Sequence, residues 1–316
     1  MTDWIFKAFP RREPGLLLAG VVFLLLPLLS GCGAIRAKVA GGVAESLAIS
    51  SAQDEDPEFV RDALPMGLKL LEASLLDRPG DKKLLLSACS GFTQYAQAFI
   101  VQPADFVEDE DLAAARRDRS RASRMFQRAR GYCLRAFDSA YKGTVVRLST
   151  SPGEVVAGVR KKKDVPLLFW TGASWAAAIS VSRQDYELVA DLRVAHELLK
   201  RALALDPEWD DGAIHEILIS LEAARDGQGG SIKQAREHFR QAREISGRKK
   251  LWPLVALAES VSVKEQNLAE FKQLLEETLA YDLDSAPDYR LGNTLAQRRA
   301  RWLLGRIEDL FVEAGP

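Results

Sequence analysis

The sequence is poor in the residues that build metal and redox centres. Its 316 residues include only three cysteines and three histidines, which leaves little material for a metal site. His196 and His215 are each followed by glutamate, but neither has the second histidine four residues on that a zinc-protease helix requires. We therefore expect no metal site and no cofactor.

The motifs of the common enzyme classes are missing as well. The sequence contains no nucleophile elbow, P-loop or dinucleotide-binding fingerprint. A glycine-rich run at residues 227–230 precedes a helical pattern but follows no strand pattern, which is typical of a linker. The net charge of −1 gives no general attraction to nucleic acid. These absences predict a protein that works by recognition, with no catalytic residues and no nucleic-acid partner.

The first residues have the pattern of a bacterial lipoprotein signal. Basic residues in the first 15 positions are followed by an uncharged apolar run over residues 16–29. This run is shorter than the roughly 20 apolar residues of a membrane span, and it fits a signal-peptide core. Leu29-Ser30-Gly31-Cys32 then resembles a lipobox, so we expect residues 1–31 to be removed and Cys32 to be lipidated. An ordinary secretory signal or an uncleaved anchor is the alternative.

The residues that follow Cys32 predict where the protein is anchored. Gly33 stands where an aspartate would resemble the inner-membrane retention signal of many Gram-negative bacteria. We therefore expect an outer-membrane lipoprotein that faces the periplasm and is held in the lipid bilayer by its acyl chains. Residues 32–57 are small and polar, and we interpret them as a tether with at most a weak helix.

The rest of the chain, residues 58–312, has a helical pattern almost throughout. Sustained alternation of apolar and polar residues, the signal of a strand, is scarce. A composition of 47% apolar and 28% charged residues is enough for a packed core and is not that of a disordered chain. Interruptions of the helices are expected at Pro79-Gly80, Pro103, residues 143–166, Pro207, residues 227–230, Gly247 and Pro287.

One segment, "VAHELLKRALALDP", has the spacing of a tetratricopeptide repeat. Ala195, Leu199, Ala202 and Pro207 occupy the small, bulky, small and helix-ending positions of that repeat. Small residues let the two helices of a hairpin approach each other, and the bulky residue fills the groove between them. Similar frames start at Gly67, Ala122, Ala235 and Phe271. We predict an all-α fold of tetratricopeptide-like helical hairpin repeats forming a solenoid or bundle, with a generic helical bundle as the alternative.

Two further cysteines, Cys89 and Cys133, lie within helical patterns. An oxidising periplasm would permit a disulfide between them, but a buried cysteine also behaves as a small apolar residue. Because the Cα spacing between neighbouring helices is often too long for a bridge, we expect two buried thiols.

A basic stripe is the first candidate for a functional surface. Arg117, Arg121, Arg124 and Arg128 follow one another at helical spacing. Such a stripe is most often a solvated helix face. The functional hypothesis is that it docks an acidic partner or anionic lipid.

A helix rich in small and aromatic residues is the second candidate. The stretch "FWTGASWAAAIS" places Trp170 and Trp175 among glycine, alanine and serine. One interpretation is tight helix packing around buried aromatic rings. The other is the lining of an apolar cleft, shared with Tyr95 and Phe99. His215 follows the loop "DPEWDDGAI" and is a further candidate for that lining.

Several ordered stretches together resemble the TatT family, the T-component lipoproteins associated with TRAP transporters. They are "LLLSACSGFTQYAQAFIVQPAD", "LLFWTGASWAAAISVSRQDYELVADL", "RALALDPEWDDGAIHEILISLEA" and "RLGNTLAQRRARWLLGRIEDLF". The resemblance covers roughly residues 44–312. It implies a periplasmic all-helical lipoprotein with cryptic tetratricopeptide-like repeats, a homotrimer and a ligand-accessible, partly apolar channel. The implied partner is the periplasmic solute-binding P component of a TRAP system, whose usual solutes are organic acids or other small carboxylates.

We therefore expect a binding and scaffolding lipoprotein that serves as an accessory component of a TRAP-type transport system. It would associate with the P component and hold a small, partly apolar or carboxylate ligand. The alternative is a tetratricopeptide-like lipoprotein that scaffolds outer-membrane or envelope assembly.

Overall fold

Capping side chains start several helices in residues 46–227 and 229–312, the part of the chain that the computed structural model describes. The Asp56 carboxylate accepts backbone hydrogen bonds from Glu58 and Phe59, each at 3.0 Å. Such a cap satisfies amide groups that the first turn of a helix leaves without partners. The same role falls to Asp81, Asp111, Ser231 and Asn267.

The long helices are α1 (Pro57–Asp77), α2 (Lys82–Ala96), α3 (Leu112–Ala140), α4 (Val165–Ser180), α5 (Leu192–Leu205), α6 (Trp209–Ala224), α7 (Ile232–Ile245), α8 (Trp252–Leu257), α9 (Leu268–Ala280) and α10 (Arg290–Leu304). Shorter helices are Gln102–Phe106, Val145–Leu148, Pro152–Ala157, Tyr186–Ala190 and Ile307–Leu310. Single 3-10 turns span Lys162–Asp164, Leu283–Ser285 and Pro287–Tyr289, and π-helical turns span Gln97–Val101 and Ala258–Ser262.

Helices that follow each other along the chain pack together in pairs. The pairs with the most extensive contacts are α2 with α3, α4 with α5, and α6 with α7. Apart from an isolated bridge between Asp226 and Gly230, the described residues form no strand, so the all-α prediction is confirmed. Ala195, Leu199 and Ala202 are completely buried. The tetratricopeptide-like repeat assignment stays a prediction.

Helix α6 connects the two hydrophobic clusters found in the described residues. Its Ile214 and Leu218 belong to a cluster built mainly from the helices that precede it, and its Ile219 and Ala223 to one built from the helices that follow. A helix that is apolar on several faces must be buried between other elements. The two halves of the domain therefore share one helix as a common wall.

The expected signal peptide, residues 1–31, and the expected lipidation site, Cys32, lie outside the described residues. Of the expected tether, residues 32–57, the described part contains a helix over residues 46–52. This helix contacts the body of the protein, because a Cβ added to Gly67 of α1 would lie 2.5 Å from the Leu47 side chain.

The helix Lys82–Phe106 is long and apolar enough to cross a membrane by length and composition alone. It is a core helix of the fold, since 56% of its apolar window is buried inside the protein and α2 packs against α1, α3 and α4. These contacts account for its apolar composition.

Pro103 lies inside this long helix, so the predicted interruption there is wrong. The chain passes through the π-helical turn Gln97–Val101 and continues as the helix Gln102–Phe106. Pro103 occupies the first turn of that last segment, where a missing backbone N–H is tolerated. The helix ends a few residues later, before Asp111 caps α3.

The expectation of two free thiols is also wrong, because a disulfide joins Cys89 of α2 to Cys133 of α3. The two Cα atoms lie 5.4 Å apart, within the range that a disulfide needs. Fully buried alanines on both helices, including Ala88 and Ala129, allow this close approach. Such a bond fits an oxidising compartment.

Small residues bring α4 equally close to α5. A Cβ added to Gly172 would lie 2.9 Å from Leu199 Cγ and 3.1 Å from the Ala195 carbonyl oxygen. Such distances leave no room for a side chain. The small residues of "FWTGASWAAAIS" therefore serve tight packing on the helix that carries Ala195 and Leu199.

Buried ion pairs join the last helices to the first. The Arg299 guanidinium of α10 donates to Asp105 Oδ2 at 2.8 Å and also pairs with the Glu259 carboxylate. Asp105 in turn accepts a hydrogen bond from Arg119 of α3 at 2.8 Å. The Arg299 side chain is only 9% exposed, and its guanidinium lies over the Trp302 ring at 4.2 Å. Three distant segments are therefore held at one point.

We predict that Arg299→Ala lowers the free energy of unfolding by about 2 kcal/mol, because it removes the charge-assisted hydrogen bonds of a buried guanidinium and its packing on Trp302. Arg298→Ala is the matched control, since Arg298 pairs with Glu58 but is 36% exposed. For such a surface pair we expect a loss of about 0–1 kcal/mol. Urea unfolding measures both variants. Equal losses would contradict the role given to Arg299.

Candidate functional site

A large cleft of about 2860 Å³ is lined by side chains from both the first and the last helices. Leu64 and Leu68 of α1 contribute to one side, and Leu291 and Leu295 of α10 to another. Most small-molecule sites in proteins are concave and largely apolar with a few polar groups. This cleft is concave, with apolar and polar side chains mixed in its wall, and it is the candidate functional site.

Two of the candidate lining residues, Phe99 and Trp170, lie in the wall of this cleft. The Trp170 ring meets Phe169 edge-on, with ring centroids 5.0 Å apart, and Phe169 packs against Trp209 at 4.6 Å. Contacts of this kind fix aromatic rings in place. The wall therefore presents a rigid aromatic surface on this side.

The other two aromatic candidates lie in the packed interior, outside the wall of this cleft. Tyr95 is 6% exposed and packs against Phe99, with ring centroids 5.7 Å apart. Trp175 is 4% exposed, and the Arg130 guanidinium lies 4.9 Å from its ring. On a helix, Trp175 is five positions from Trp170 and so points away from the face that carries it.

His215 also lies away from the cleft wall, in a buried cluster that contains every histidine of the chain. Its Nδ1 atom is 2.9 Å from Nδ1 of His238, and His196 Nε2 donates to Glu222 Oε1 at 2.7 Å. Burial lowers the pKa of all three histidines, and that of His215 falls to about 4. The cluster is therefore neutral at pH 7, and it packs α5, α6 and α7 together.

The cluster does not make a metal centre. Within residues 46–227 and 229–312 no group of three or more histidine, cysteine, aspartate or glutamate side chains could hold a metal ion. Two facing Nδ1 atoms can share a single proton, one as donor and the other as acceptor. If both rings became charged, two N–H groups would point at each other in a buried place.

We predict that acid weakens the fold through His215. Its pKa is about 4 in the folded protein, against an ordinary value of 6.5. The unfolded chain therefore binds more protons in this window, so the stabilisation is complete above pH 6.5 and is lost as the pH falls toward 4. From His215 alone we expect the free energy of unfolding to drop by about 2 kcal/mol between pH 8 and pH 5.

Urea unfolding of the wild type and of His215→Asn at the two pH values measures this effect. Burial raises the pKa of Glu216 to about 7, which acts in the opposite sense, because the folded protein then holds the extra proton. The difference between the two proteins isolates His215, since both contain Glu216. A variant as sensitive to acid as the wild type would rule the mechanism out.

A strained turn borders the cleft at the start of α6. Asp210, Asp211 and Gly212 all have positive φ angles, of 49°, 51° and 85°. Lys250 Nζ donates to the Asp210 carbonyl oxygen at 2.5 Å, and Tyr289 Oη donates to Asp211 Oδ2 at 2.5 Å. Left-handed backbone costs any residue other than glycine some free energy, although aspartate adopts it more readily than most. These contacts help to hold the turn in place.

Glu216 lies one turn further along α6, in the cleft wall. Its carboxylate makes no hydrogen bond or ion pair in the described part of the chain. Because the side chain is poorly solvated, burial raises its pKa to about 7, although the Lys250 charge acts against this. The loop "DPEWDDGAI" therefore does reach the cleft, through Asp210 and Ala213, and Glu216 follows it in the wall. The adjacent His215 faces the other side of the helix.

The basic stripe on α3 is divided between a structural and a solvent-facing part. Arg128 pairs with Glu72 and lies 4.8 Å from the Phe92 ring centroid, so it contributes to packing. Arg117, Arg121 and Arg124 are exposed. Arg124 donates to Ser120 Oγ at 3.0 Å, and none of the three pairs with a carboxylate in the described residues.

Sequence reasoning missed several polar residues of the cleft wall. Gln102, Lys250 and Asp288 are part of it, yet nothing in their spacing marks them as a group. In the sequence, Glu216 stood out only as the residue after His215, in a pair that lacks the second histidine of a zinc motif. Its position four residues after the Asp-Asp-Gly turn was the available signal.

The fold and the cleft together define the class of this protein. It is an all-helical protein with a cleft large enough for a small-molecule ligand. The chain belongs to the TRAP transporter T-component (TAtT) family, whose model matches residues 53–311. It is also similar to an uncharacterized protein of Treponema pallidum (strain Nichols). That protein is 27% identical over 265 residues, which cover 83% of this chain and 82% of its own length.

The family match confirms the resemblance that the sequence stretches carry. It supports an accessory role in a TRAP transport system. The members of this family are transporter components, which is a class distinct from enzymes.

Proposed function

We propose that this protein is a periplasm-facing, lipid-anchored accessory component of a TRAP-type transport system. It associates with the solute-binding P component and holds a small, partly apolar or carboxylate ligand. The observation that carries the proposal is the cleft of about 2860 Å³, built by a chain whose residues 53–311 match the T-component family.

The proposed mechanism is recognition without bond chemistry. The aromatic side chains of the cleft wall are Phe99, Phe169, Trp170, Trp252 and Tyr289. Rigid rings bury the apolar part of a ligand at little cost in conformational entropy. Arg119 and Arg299 also reach the wall, but carboxylates of the protein already pair with them. The cleft would thus shelter a ligand from water while the P component collects or releases it.

The exposed part of the basic stripe is the proposed docking surface for the P component. Arg117, Arg121 and Arg124 offer three positive charges without carboxylate partners in the described residues. Charges of this kind speed association with an acidic surface and make it sensitive to salt.

We predict that reversing these charges disrupts the complex. A variant with Arg117→Glu, Arg121→Glu and Arg124→Glu should lose at least about tenfold in affinity for the P component at moderate salt. The matched control replaces Arg160, Lys161 and Lys163 by glutamate. These three residues are also exposed, and they lie outside α3. Surface plasmon resonance with the purified P component measures both. Equal losses would exclude a docking role for the stripe, and no complex of the wild type at micromolar protein would exclude the proposed function.

We predict that a variant in which a cleavable secretory signal replaces residues 1–32 folds and no longer partitions with membranes, because neither the signal core nor the acyl chains hold it there. Membrane fractionation tests this, and metabolic lipid labelling should be lost in parallel. Membrane association that survives the replacement would disprove the anchor.

The same soluble variant should have the mass of a homotrimer in native mass spectrometry. Exposed apolar side chains on α1, Phe59, Met66 and Leu70, support self-association. A monomer mass would contradict the homotrimer.

A further inference from the structure

The two π-helical turns of the described chain lie on either side of the Arg299 ion pairs. Gln97–Val101 leads directly into the helix that carries Asp105, and Ala258–Ser262 contains Glu259. Asp105 and Glu259 are the two carboxylates that Arg299 joins. A π-helical turn costs stability and is found frequently at functional sites. Residues from both turns line the cleft.

Gln102, immediately after the first π-helical turn, is a buried polar residue without a partner. It is 4% exposed, and within the described residues its Oε1 atom is buried with no hydrogen bond. Buried polar atoms are nearly always hydrogen-bonded, and leaving one unpaired is costly. Gln102 lines the large cleft, and a change of its side-chain rotamer would bring Oε1, which is covered here, to a molecule in the cleft.

The surroundings of Gln102 are apolar on one side. Phe99 and Leu295 line the large cleft together with Gln102, and both also line a small adjoining pocket of about 50 Å³. Phe99 lies three residues before Gln102 and therefore on the same face of the helix. The unpaired amide oxygen thus stands at the edge of an apolar surface.

The charged groups near Gln102 are already paired with one another. Arg119 is held by Asp105 and Glu108, and Arg299 by Asp105 and Glu259. On the side of the small pocket, Arg298 pairs with Glu58 and Arg61 with Asp62. A carboxylate ligand would have no proton to offer to Gln102 Oε1. The cations of the cleft wall that no carboxylate of the described residues pairs with, Arg116, Arg183 and Lys250, lie on other segments of the chain.

We infer that Gln102 is a recognition site for a neutral hydrogen-bond donor, a hydroxyl or an amide, on an otherwise apolar ligand. This inference rests on the proposed function, in which the cleft holds a small molecule, and it narrows the ligand class. The donor group bonds to Gln102 Oε1, while the apolar part lies against Phe99 and Leu295. Carboxylates are the disfavoured members of the proposed ligand class.

Three probes of equal chain length test the inference, namely octanamide, octan-1-ol and octanoate. Calorimetric titration uses the soluble chain that starts after Cys32, which keeps every described residue. We expect octanamide and octan-1-ol to bind at least about tenfold more tightly than octanoate.

Gln102→Met keeps the size of the side chain and removes its amide. This variant should lose about tenfold in affinity for octanamide and little for octanoate, and it should melt no lower than the wild type, because it removes an unpaired buried atom. The matched control is Gln94→Met, an exposed glutamine of α2 that also lines the cleft. It should leave all three affinities unchanged.

The inference is overturned if octanoate binds as tightly as octanamide, if Gln102→Met binds octanamide like the wild type, or if none of the three probes binds. The proposed function is judged separately, by association with the P component. A complex that forms normally while the probes fail would leave the accessory role in place and remove only the ligand class.

Discussion

The Arg299 ion pairs are the interaction on which the rest of the structure depends. Packing between sequential helices would give an open arrangement, since each helix mainly contacts its neighbours along the chain. Arg299 bonds to Asp105, 194 positions earlier, and this contact brings the last helices back to the first. Phe106 and Trp302 reinforce it, with ring centroids 5.6 Å apart. The cleft has walls from both ends of the domain because this contact, together with the Arg298–Glu58 and Arg306–Asp109 pairs, joins them.

The sequence predicted what depends on local pattern. Helical periodicity identified an all-α domain, and the small residues at Gly172 and Ala195 correctly marked a place where two helices approach closely. Phe99 and Trp170 lie in the wall of the cleft, and their role in binding a ligand stays a prediction. The helical pattern and the close approach share a cause, since spacing along one helix determines which side chains share a face.

Features that depend on how distant segments of the chain meet in the fold were not predictable in this way. The Cys89–Cys133 disulfide was missed because a general estimate of helix spacing replaced the actual approach of α2 and α3, which their alanines permit. Pro103 was misjudged because a π-helical turn, invisible in the residue pattern, absorbs it. Gln102 looked like one more polar residue, and only the folded structure shows that its amide oxygen is buried without a partner.

Helix α6 shows how a single element serves stability and recognition at once. The left-handed backbone at its start, Asp210 and Asp211, is held by Lys250 and Tyr289. Both of these residues come from the part of the chain that follows α6. From this start, Glu216 enters the cleft wall while His215 enters the histidine cluster on the opposite side. Glu216 and His215 therefore place the cleft wall and the histidine cluster on two sides of a helix that both halves of the core share.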